Sequence, residues 1–306
     1  YQDEYILGFD KRLGPSWTYG VKATYRNLRN AIDDIGDAPS IQAKMDAMGI
    51  DPTTYDPDSI QGSYLINPGR TSIFQIPKLA GGYYEVPMDW VKDFHFNTTL
   101  KRKYYGVNFY LEHPFDGKWF GRVDYLYSRT YGNSEGQVRT DIGQTDVSAT
   151  VDWDYAAVMD YANGDLANSR RHQIKAYGSY KLTPEWMVSG NVFIASGAPR
   201  TCLARYGGPN GTNPGLGYGP YYHFCRDGQP YSPGKQHEPW TYQVNLGAEY
   251  RPMWAEQKLA FNVNVLNVFD NQVITQRYPR SDNVNWLRPY GSQTARSVRF
   301  GITYDF

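Results

Sequence analysis

The sequence has few cysteines, no excess of either charge and no long hydrophobic run. Its 306 residues include two cysteines, and 31 basic side chains balance 31 acidic ones. This balance argues against a nucleic-acid binder held by a basic face. Mean hydropathy is −0.63, and no apolar stretch reaches the roughly eighteen residues of a transmembrane helix. A membrane β-barrel stays compatible with this composition, because only every second residue of its strands faces lipid.

Signals of catalysis are also lacking. None of the five histidines lies at the spacing of a zinc-enzyme motif, and no nucleophile elbow, phosphate-binding loop or dinucleotide fingerprint occurs between a strand and a helix. We therefore expect no catalytic residues, no cofactor and no enzymatic activity.

Aromatic residues and alternating patterns are abundant instead. Aromatic side chains make up 16% of the chain, with 28 tyrosines, a composition that favours strands and loops. Apolar residues recur at every second position in nine segments, which is the period of a half-exposed strand. The predicted strands lie near 2–12, 16–28, 99–112, 117–130, 170–182, 185–197, 239–251, 257–269 and 295–306.

The polarity of the two strand faces indicates the solvent. One face carries charges, whereas the other carries aliphatic residues with aromatic rings near the strand ends, such as Trp119, Trp186 and Trp240. A bilayer interface selects Trp and Tyr at such positions, because their rings have an apolar body and a polar tip. This favours lipid outside and a wet, charged lumen inside. A soluble β-sandwich, as in an enzyme or lectin, is the less favoured alternative.

Connections between the predicted strands alternate between short and long. Four long connections span 29–98, 131–169, 198–238 and 270–294, and we expect them to lack regular structure for most of their length. Short periplasmic turns and long extracellular loops alternate in this way in bacterial outer-membrane barrels. Because the first and the ninth strand run in the same direction, the fold predicted for residues 1–306 is the C-terminal part of a larger antiparallel transmembrane β-barrel.

Four segments carry a family resemblance. They are GDLANSRRHQIKAYGSYKLTPEW (164–186), SGAPR (196–200), NVNVLNVFDNQ (262–272) and RSVRFGITYDF (296–306). In this order they resemble the C-terminal barrel of TonB-dependent outer-membrane receptors, with closer similarity to the Oar-like branch. The resemblance covers residues 94–306 well and the preceding part loosely.

This resemblance implies a 22-stranded barrel in the bacterial outer membrane, filled by an upstream plug that is not present in the sequence. It implies import of a scarce extracellular ligand, such as an iron chelate or a peptide, driven by the TonB complex acting on that plug. Outer-membrane lipids, lipopolysaccharide and the barrel-assembly machinery are the further partners it implies. A passive porin or a surface adhesion barrel without energy coupling is the alternative.

Two predictions concern the third long loop. Cys202 and Cys225 are expected to form a disulfide, since an oxidising compartment allows one and a closed loop of this length is stabilised by about 3 kcal/mol. The disulfide would shape a loop rich in tyrosine, and rigid rings give contact area at low entropic cost. The candidate ligand contacts are Tyr206, Tyr218, Tyr221 and Tyr222; packing of these rings on each other is the other possibility.

Two further sets of residues are assigned from the strands. Residues expected to face the plug or the lumen are Arg102, Arg122, Asp124, Lys175, Glu249, Arg251 and Arg299. Phe300, Ile302, Tyr304 and Phe306 lie on the apolar face of the last strand. By the family resemblance they would form the signal that the barrel-assembly machinery reads.

The first long loop contains an acidic stretch. Asp51, Asp56 and Asp58 are weak calcium candidates, because carboxylates are ligands of that ion, although their spacing fits no EF-hand loop. A solvated acidic loop is the alternative. In the same loop the pattern predicts a short helix between Ile32 and Met48, with Ser40 as a possible N-cap of 41–48.

Overall fold

The structure is a computed structural model that describes residues 1–144, 147, 150–212, 214 and 219–306. Within these residues no helix has the length and apolarity needed to cross a membrane.

Most regular structure is β-strand. In chain order the strands are β1 (Gln2–Leu13), β2 (Trp17–Leu28), β3 (Asp33–Ile35), β4 (Tyr64–Ile66), β5 (Ser72–Pro77), β6 (Tyr83–Met88), β7 (Arg102–His113), β8 (Trp119–Gly132), β9 (Gly164–Asp165), β10 (His172–Lys181), β11 (Trp186–Ala195), β12 (Thr241–Tyr250), β13 (Leu259–Leu266), β14 (Ile274–Arg277), β15 (Pro289–Ser292) and β16 (Ser297–Tyr304). The α-helix is α1 (Ala38–Ala47), and short 3₁₀ turns lie in the connections.

Nine long strands form one antiparallel sheet in the order β1-β2-β7-β8-β10-β11-β12-β13-β16, and the short β9 adds to the end of β8. Each strand of this path pairs with the next long strand of the chain, so the nine strands predicted from the alternating pattern are confirmed. In the described part of the chain, β1 and β16 each pair on one side only. The fold is thus a wall of transmembrane-type strands, while closure of the barrel and its total strand number stay predictions.

Strand register gathers the apolar side chains on one face of the sheet. Directly opposed residues of antiparallel strands point to the same side, and one such row runs from Val123 through Ala176 and Val192 to Val244. On this face Val123 is 47% exposed and Phe109 is 50% exposed, although both lie on strands with neighbours on either side. A continuous exposed apolar face of this extent fits contact with lipid rather than with water.

The long connections all lie at one end of the sheet, because successive strands are antiparallel. We call them L1 (29–101), L2 (133–171), L3 (196–240) and L4 (267–296). The short connections at the opposite end join β1 to β2, β7 to β8, β10 to β11 and β12 to β13. The predicted alternation of short and long connections is therefore confirmed.

L1 is a folded unit, which corrects the expectation that the long connections lack regular structure. It contains α1 and two antiparallel pairs, β3 with β4 and β5 with β6. The predicted helix is present but begins earlier than expected. Asp37 caps it by accepting hydrogen bonds from the Ser40 backbone N–H at 3.2 Å and the Ser40 hydroxyl at 2.7 Å. Ser40 is therefore a donor to the cap and not the N-cap itself.

A hydrophobic core joins L1 to L2. Trp153 of L2 is fully buried, and its ring lies 5.5 Å from that of Trp90 and 5.8 Å from that of Phe96. The buried members of this core are Ile35, Ile41, Met45, Tyr55, Ile60, Ile66, Phe74, Ile76, Val86, Met88, Trp90, Phe94, Phe96, Trp153, Met159 and Ala162. Burial of large aromatic side chains stabilises this contact by several kcal/mol, about 3–5 for one tryptophan by the measure of truncation to alanine. L1 and L2 consequently form a packed cap at the loop end of the sheet.

Candidate functional site

The polar face of the sheet carries the residues predicted to face the lumen. Arg122, Asp124 and Lys175 lie on it by register, opposite Glu112, Tyr110 and Asp124, respectively. Glu249 lies opposite Asn262, and Arg299 lies opposite Asn264, on the same face. Arg102 lies at the loop end of β7, where its guanidinium donates to the carbonyl of Glu135 at 2.7 Å. Arg251 follows β12 at the turn end.

Several of these charges pair with one another. Arg122 donates to Glu112 at 2.8 Å and to both oxygens of Asp124 at 2.9 Å, and its guanidinium lies 4.2 Å from the ring centroid of Tyr110. Arg251 bridges Glu249 at 2.7 Å and Asp305 at 2.8 Å. An inner wall of paired charges suits contact with another polar surface or with water.

Register places the predicted residues of the last strand. Phe300, Ile302 and Tyr304 lie opposite Val263, Phe261 and Leu259 on the apolar side of the sheet, and Phe306 follows the end of the strand. Their role as an assembly signal stays a prediction.

Beneath the loops, L2 holds a cluster of buried ionisable groups. Arg139 donates to both oxygens of Asp141, at 3.2 and 3.0 Å, and its Nη1 lies 3.0 Å from Asp152. Burial is the main cause that raises the pKa of Asp152 to about 6, opposed by the charge of Arg139. Burial likewise lowers the pKa of His223 in L3 to about 3, so this imidazole is neutral at physiological pH. The cluster is a structural link between L2 and L3.

A second buried carboxyl connects L1 to L2. Asp33 is 2% exposed and accepts hydrogen bonds from the backbone N–H of Thr150 at 3.2 Å and from its hydroxyl at 3.3 Å. Burial raises the pKa of Asp33 to about 7 and the charges of Asp152 and Asp34 add to this shift, whereas hydrogen bonds from the backbone N–H groups of Thr150 and Asp34 oppose it. This contact joins residues 117 positions apart in the chain.

The predicted disulfide between Cys202 and Cys225 is present in L3, with Cα atoms 5.4 Å apart. Next to it, Leu203 donates its N–H to the carbonyl of Pro279 at 3.0 Å and accepts from the N–H of Ser281 at 2.7 Å. These bonds hold the disulfide-closed segment of L3 against L4.

The tyrosines predicted as ligand contacts have different environments. Tyr222 is fully buried and packs with Tyr155, to which its hydroxyl is hydrogen-bonded at 2.6 Å. Its ring is part of the loop core, which fits the alternative that these tyrosine rings pack on each other. Tyr206 is half-buried and donates to Asp160 at 3.0 Å. Tyr221 is half-buried under the guanidinium of Arg280, 5.6 Å from its ring centroid. Tyr218 lies outside the described residues.

The weak calcium candidates have roles within their own loop. Asp51 accepts from the N–H and hydroxyl of Thr53, at 2.9 and 2.7 Å, and Asp56 accepts from the N–H of Asp58 at 3.0 Å. Both carboxylates cap short 3₁₀ turns. Across the described ranges, no group of three or more His, Cys, Asp or Glu side chains could hold a metal ion. The solvated-loop alternative therefore fits these three residues.

A cavity of about 300 Å³ lies between L2, L3 and L4. Glu238, only 4% exposed, sits in its wall and receives Arg200 at 3.1 Å and Arg277 at 3.2 Å. A third arginine, Arg170, also lines it. The remaining lining residues are Thr140, Asp141, Ala167, Asn168, Ala198, Pro199, Thr201, Thr275, Gln276, Tyr278, Pro279, Leu287 and Tyr290. A concave site with converging polar groups and apolar walls is typical of small-molecule binding.

The residues of this cavity were not predicted as a ligand site from the sequence. Arg170 and Arg200 lie inside two of the segments that carry the family resemblance, SRRH and SGAPR, so those segments held a signal. Glu238 and Arg277 lie in loops with no alternating pattern, and only the fold brings them within ion-pair distance.

Comparisons with known proteins define the class first. No protein-family profile matches the chain. The outer-membrane transporter YddB from Escherichia coli has a similar structure, with a TM-score of 0.57 and 11% identity over 100% of this chain and 32% of YddB. The FrpB iron transporter from Neisseria meningitidis aligns with a TM-score of 0.50 and 12% identity over 100% of this chain and 31% of FrpB. The fold is therefore that of the wall of an outer-membrane transporter barrel.

A curated relative gives the particular branch. The TonB-dependent transporter Oar of Myxococcus xanthus is 24% identical to the chain over 350 aligned positions, which cover 99% of this chain and 28% of Oar. The resemblance to TonB-dependent outer-membrane receptors of the Oar-like kind is confirmed, and so is the predicted location in the bacterial outer membrane. These relatives are transporters and not enzymes, in agreement with the prediction for this chain. The chain spans about 28% of the length of Oar, which fits the C-terminal barrel portion.

Proposed function

We propose that the chain is the C-terminal part of the barrel of a TonB-dependent outer-membrane receptor, which binds a scarce extracellular ligand with L1–L4 and imports it. The observation that supports this proposal most strongly is that one continuous sheet has an apolar face and a charged face. An exposed aromatic and aliphatic face is suited to lipid, and an inner face of paired charges is suited to a plug or a wet lumen.

The folded loops support a receptor rather than an open pore. L1 and L2 share a core, and L3 is closed by a disulfide and bonded to L4. Rigid, preorganised loops bind a ligand at lower entropic cost than mobile ones. The loops enclose the cavity described above, which we propose as part of the ligand-binding surface.

Partners follow from the same proposal. Arg122, Lys175 and Arg299 on the inner face would contact an upstream plug, through which the TonB complex acts. The apolar face would contact outer-membrane lipids and lipopolysaccharide. The last strand, ending in Phe306, would be read by the barrel-assembly machinery, and the whole barrel would have 22 strands.

Uptake by cells tests the proposal. A strain lacking the full-length protein is compared with its parent for uptake of labelled iron chelates and labelled peptides, with and without a protonophore that collapses the inner-membrane gradient. We expect loss of uptake of one ligand class on deletion and on adding the protonophore. Iron-chelate import also predicts induction at low iron, whereas peptide import does not.

Conductance tests the alternative. The purified full-length protein in a planar bilayer should show little steady conductance without an energy source, because a plug fills the barrel. Large steady conductance, together with uptake that survives the protonophore, would support a passive porin instead.

A further inference from the structure

We propose that the cavity between L2, L3 and L4 binds the carboxylate of a small organic ligand, with Arg170 as the cation that receives it. The inference names a ligand class for the receptor and rests on the proposed function for its biological role. The binding itself follows from the charges and walls of the cavity.

The lining carries an unbalanced positive charge. Its basic residues are Arg170, Arg200 and Arg277, and its acidic residues are Glu238 and Asp141. Arg200 and Arg277 share the single carboxylate of Glu238. Asp141 is already held through both oxygens by Arg139, which lies behind the wall. The positive charge of Arg170 is therefore left without an acid among the described residues.

Arg170 is free to receive a ligand. Its Nη1 donates to the carbonyl of Ser196 at 3.0 Å and to the hydroxyl of Thr241 at 3.2 Å, and both partners are neutral. Neither Nε nor Nη2 of Arg170 has a hydrogen-bond partner within the described residues. Burial lowers the pKa of its guanidinium, and no acid of the described part of the chain opposes that effect. The two hydrogen bonds of Nη1 thus hold the guanidinium of Arg170 in place. Its remaining donors, on Nε and Nη2, suit a carboxylate.

Three other arginines at the loop end are paired with acids. Arg129 and Arg171 both bind the buried Asp165, at 2.5 and 2.7 Å. Arg139 lies between Asp141 and Asp152. Arg170 differs from these three, because it is a half-buried cation that lines a cavity and has no acid partner among the described residues, which suits an anion from outside.

The rest of the wall suits the organic part of the ligand. Tyr278, Leu287 and Tyr290 come from L4, and Pro199 and Pro279 add further apolar surface. At about 30 Å³ for each water, a cavity of about 300 Å³ holds roughly ten groups of that size. A ring with a short acidic arm, such as 4-fluorophenylacetate, is of this size.

Binding of this probe to the full-length protein in detergent tests the inference by ¹⁹F NMR. Its neutral match is 4-fluorophenylacetamide, which has the same shape and no charge. A ligand of this size should bind with a dissociation constant on the order of 1 mM. We expect the amide to bind about tenfold more weakly or worse, because it cannot form charge-assisted bonds with Arg170.

Three variants separate the possible causes. Arg170→Gln should weaken carboxylate binding about tenfold and leave amide binding unchanged. Arg170→Lys should recover part of the loss, because the charge returns without the planar fork. Arg205→Gln removes an exposed arginine of L3 outside the cavity and should bind as the unchanged protein does. Heat-modifiable migration on gels shows that each variant has kept its folded barrel.

The results that would overturn carboxylate binding differ from those that would count against transport. Equal binding of the two probes, no binding of either, or unchanged carboxylate binding by a folded Arg170→Gln protein would overturn the inference. Inorganic phosphate that competes as well as the organic acid would also overturn it, since the apolar wall would then contribute nothing. The assay contains no energy source, so loss of cellular uptake with intact carboxylate binding would count against the transport proposal alone.

Discussion

Neutralising Asp33 should remove a pH dependence from the contact between L1 and L2. In the folded chain the pKa of this carboxyl is raised to about 7, from an ordinary value of 3.8. A group with a raised folded pKa binds its proton more tightly when folded, so its contribution to stability is present at low pH and is lost as pH rises toward 7. The full difference between the two pKa values corresponds to about 4 kcal/mol of stability.

The change in free energy is smaller over the pH range in which the protein can be studied. Between about pH 5 and about pH 8 the contact should weaken by roughly 3 kcal/mol, which is a rise of roughly a hundredfold in the open population. Asp33→Asn keeps an oxygen that can accept from the Thr150 N–H and carries no charge. This variant should therefore lose the part of the pH dependence of opening that comes from residue 33, while Asp152, with its pKa raised to about 6, keeps its own part in both proteins.

Limited proteolysis of L1 measures the opening, since cleavage follows the open population when opening and closing are fast. The quantity of interest is the ratio of cleavage rates of the unchanged protein and the Asp33→Asn variant at each pH, which cancels the pH profile of the protease. The ratio should rise toward pH 8. A ratio that is constant with pH would refute the assignment of a buried, unbalanced acid at this position.

Three other predictions concern the loops and the outer face. Replacing both half-cystines of L3 by serine should destabilise that loop by about 3 kcal/mol, seen as faster cleavage of L3; an unchanged rate would contradict a stabilising role. Gly197→Ala should displace the start of L3, because a Cβ there would lie 1.5 Å from the carbonyl oxygen of Glu238. The control Gly62→Ala should be tolerated, because a Cβ at that position meets nothing within 4 Å. Equal rates of proteolytic cleavage of the two variants would argue against the close approach at Gly197. Phe300→Lys should destabilise the barrel in lipid vesicles by about 2–4 kcal/mol, and Thr303→Lys, on the inner face, by much less in the same urea titration; equal losses would mean that the lipid face is misassigned.

The sheet could be predicted because its determinants are local. Alternation of apolar and polar residues sets the strands, and a period of two also fixes which face each side chain takes. The apolar-face positions of Val123 and Val192 could therefore be predicted from the pattern of their own segments. The register across nine strands then followed, because each strand pairs with its neighbour in the chain.

The loops could not be predicted because their contacts are distant and aperiodic. Trp90 of L1 and Trp153 of L2 pack together, and no repeating sequence pattern predicts that core. Tyr222 lies in a tyrosine-rich loop whose composition does not distinguish exposed rings from buried ones, yet its side chain is fully buried. Arg200 and Arg277 meet only because L3 and L4 fold against each other.

The intact mass and N-terminal sequence of the protein, extracted in detergent from its native outer membrane, would show whether these residues belong to a plug-gated receptor. We expect a mass well above the 35.0 kDa of these residues, with a plug-like segment upstream of Tyr1. A protein of 35.0 kDa that begins at Tyr1 would contradict it, because a plug-gated receptor needs both the missing strands and the plug.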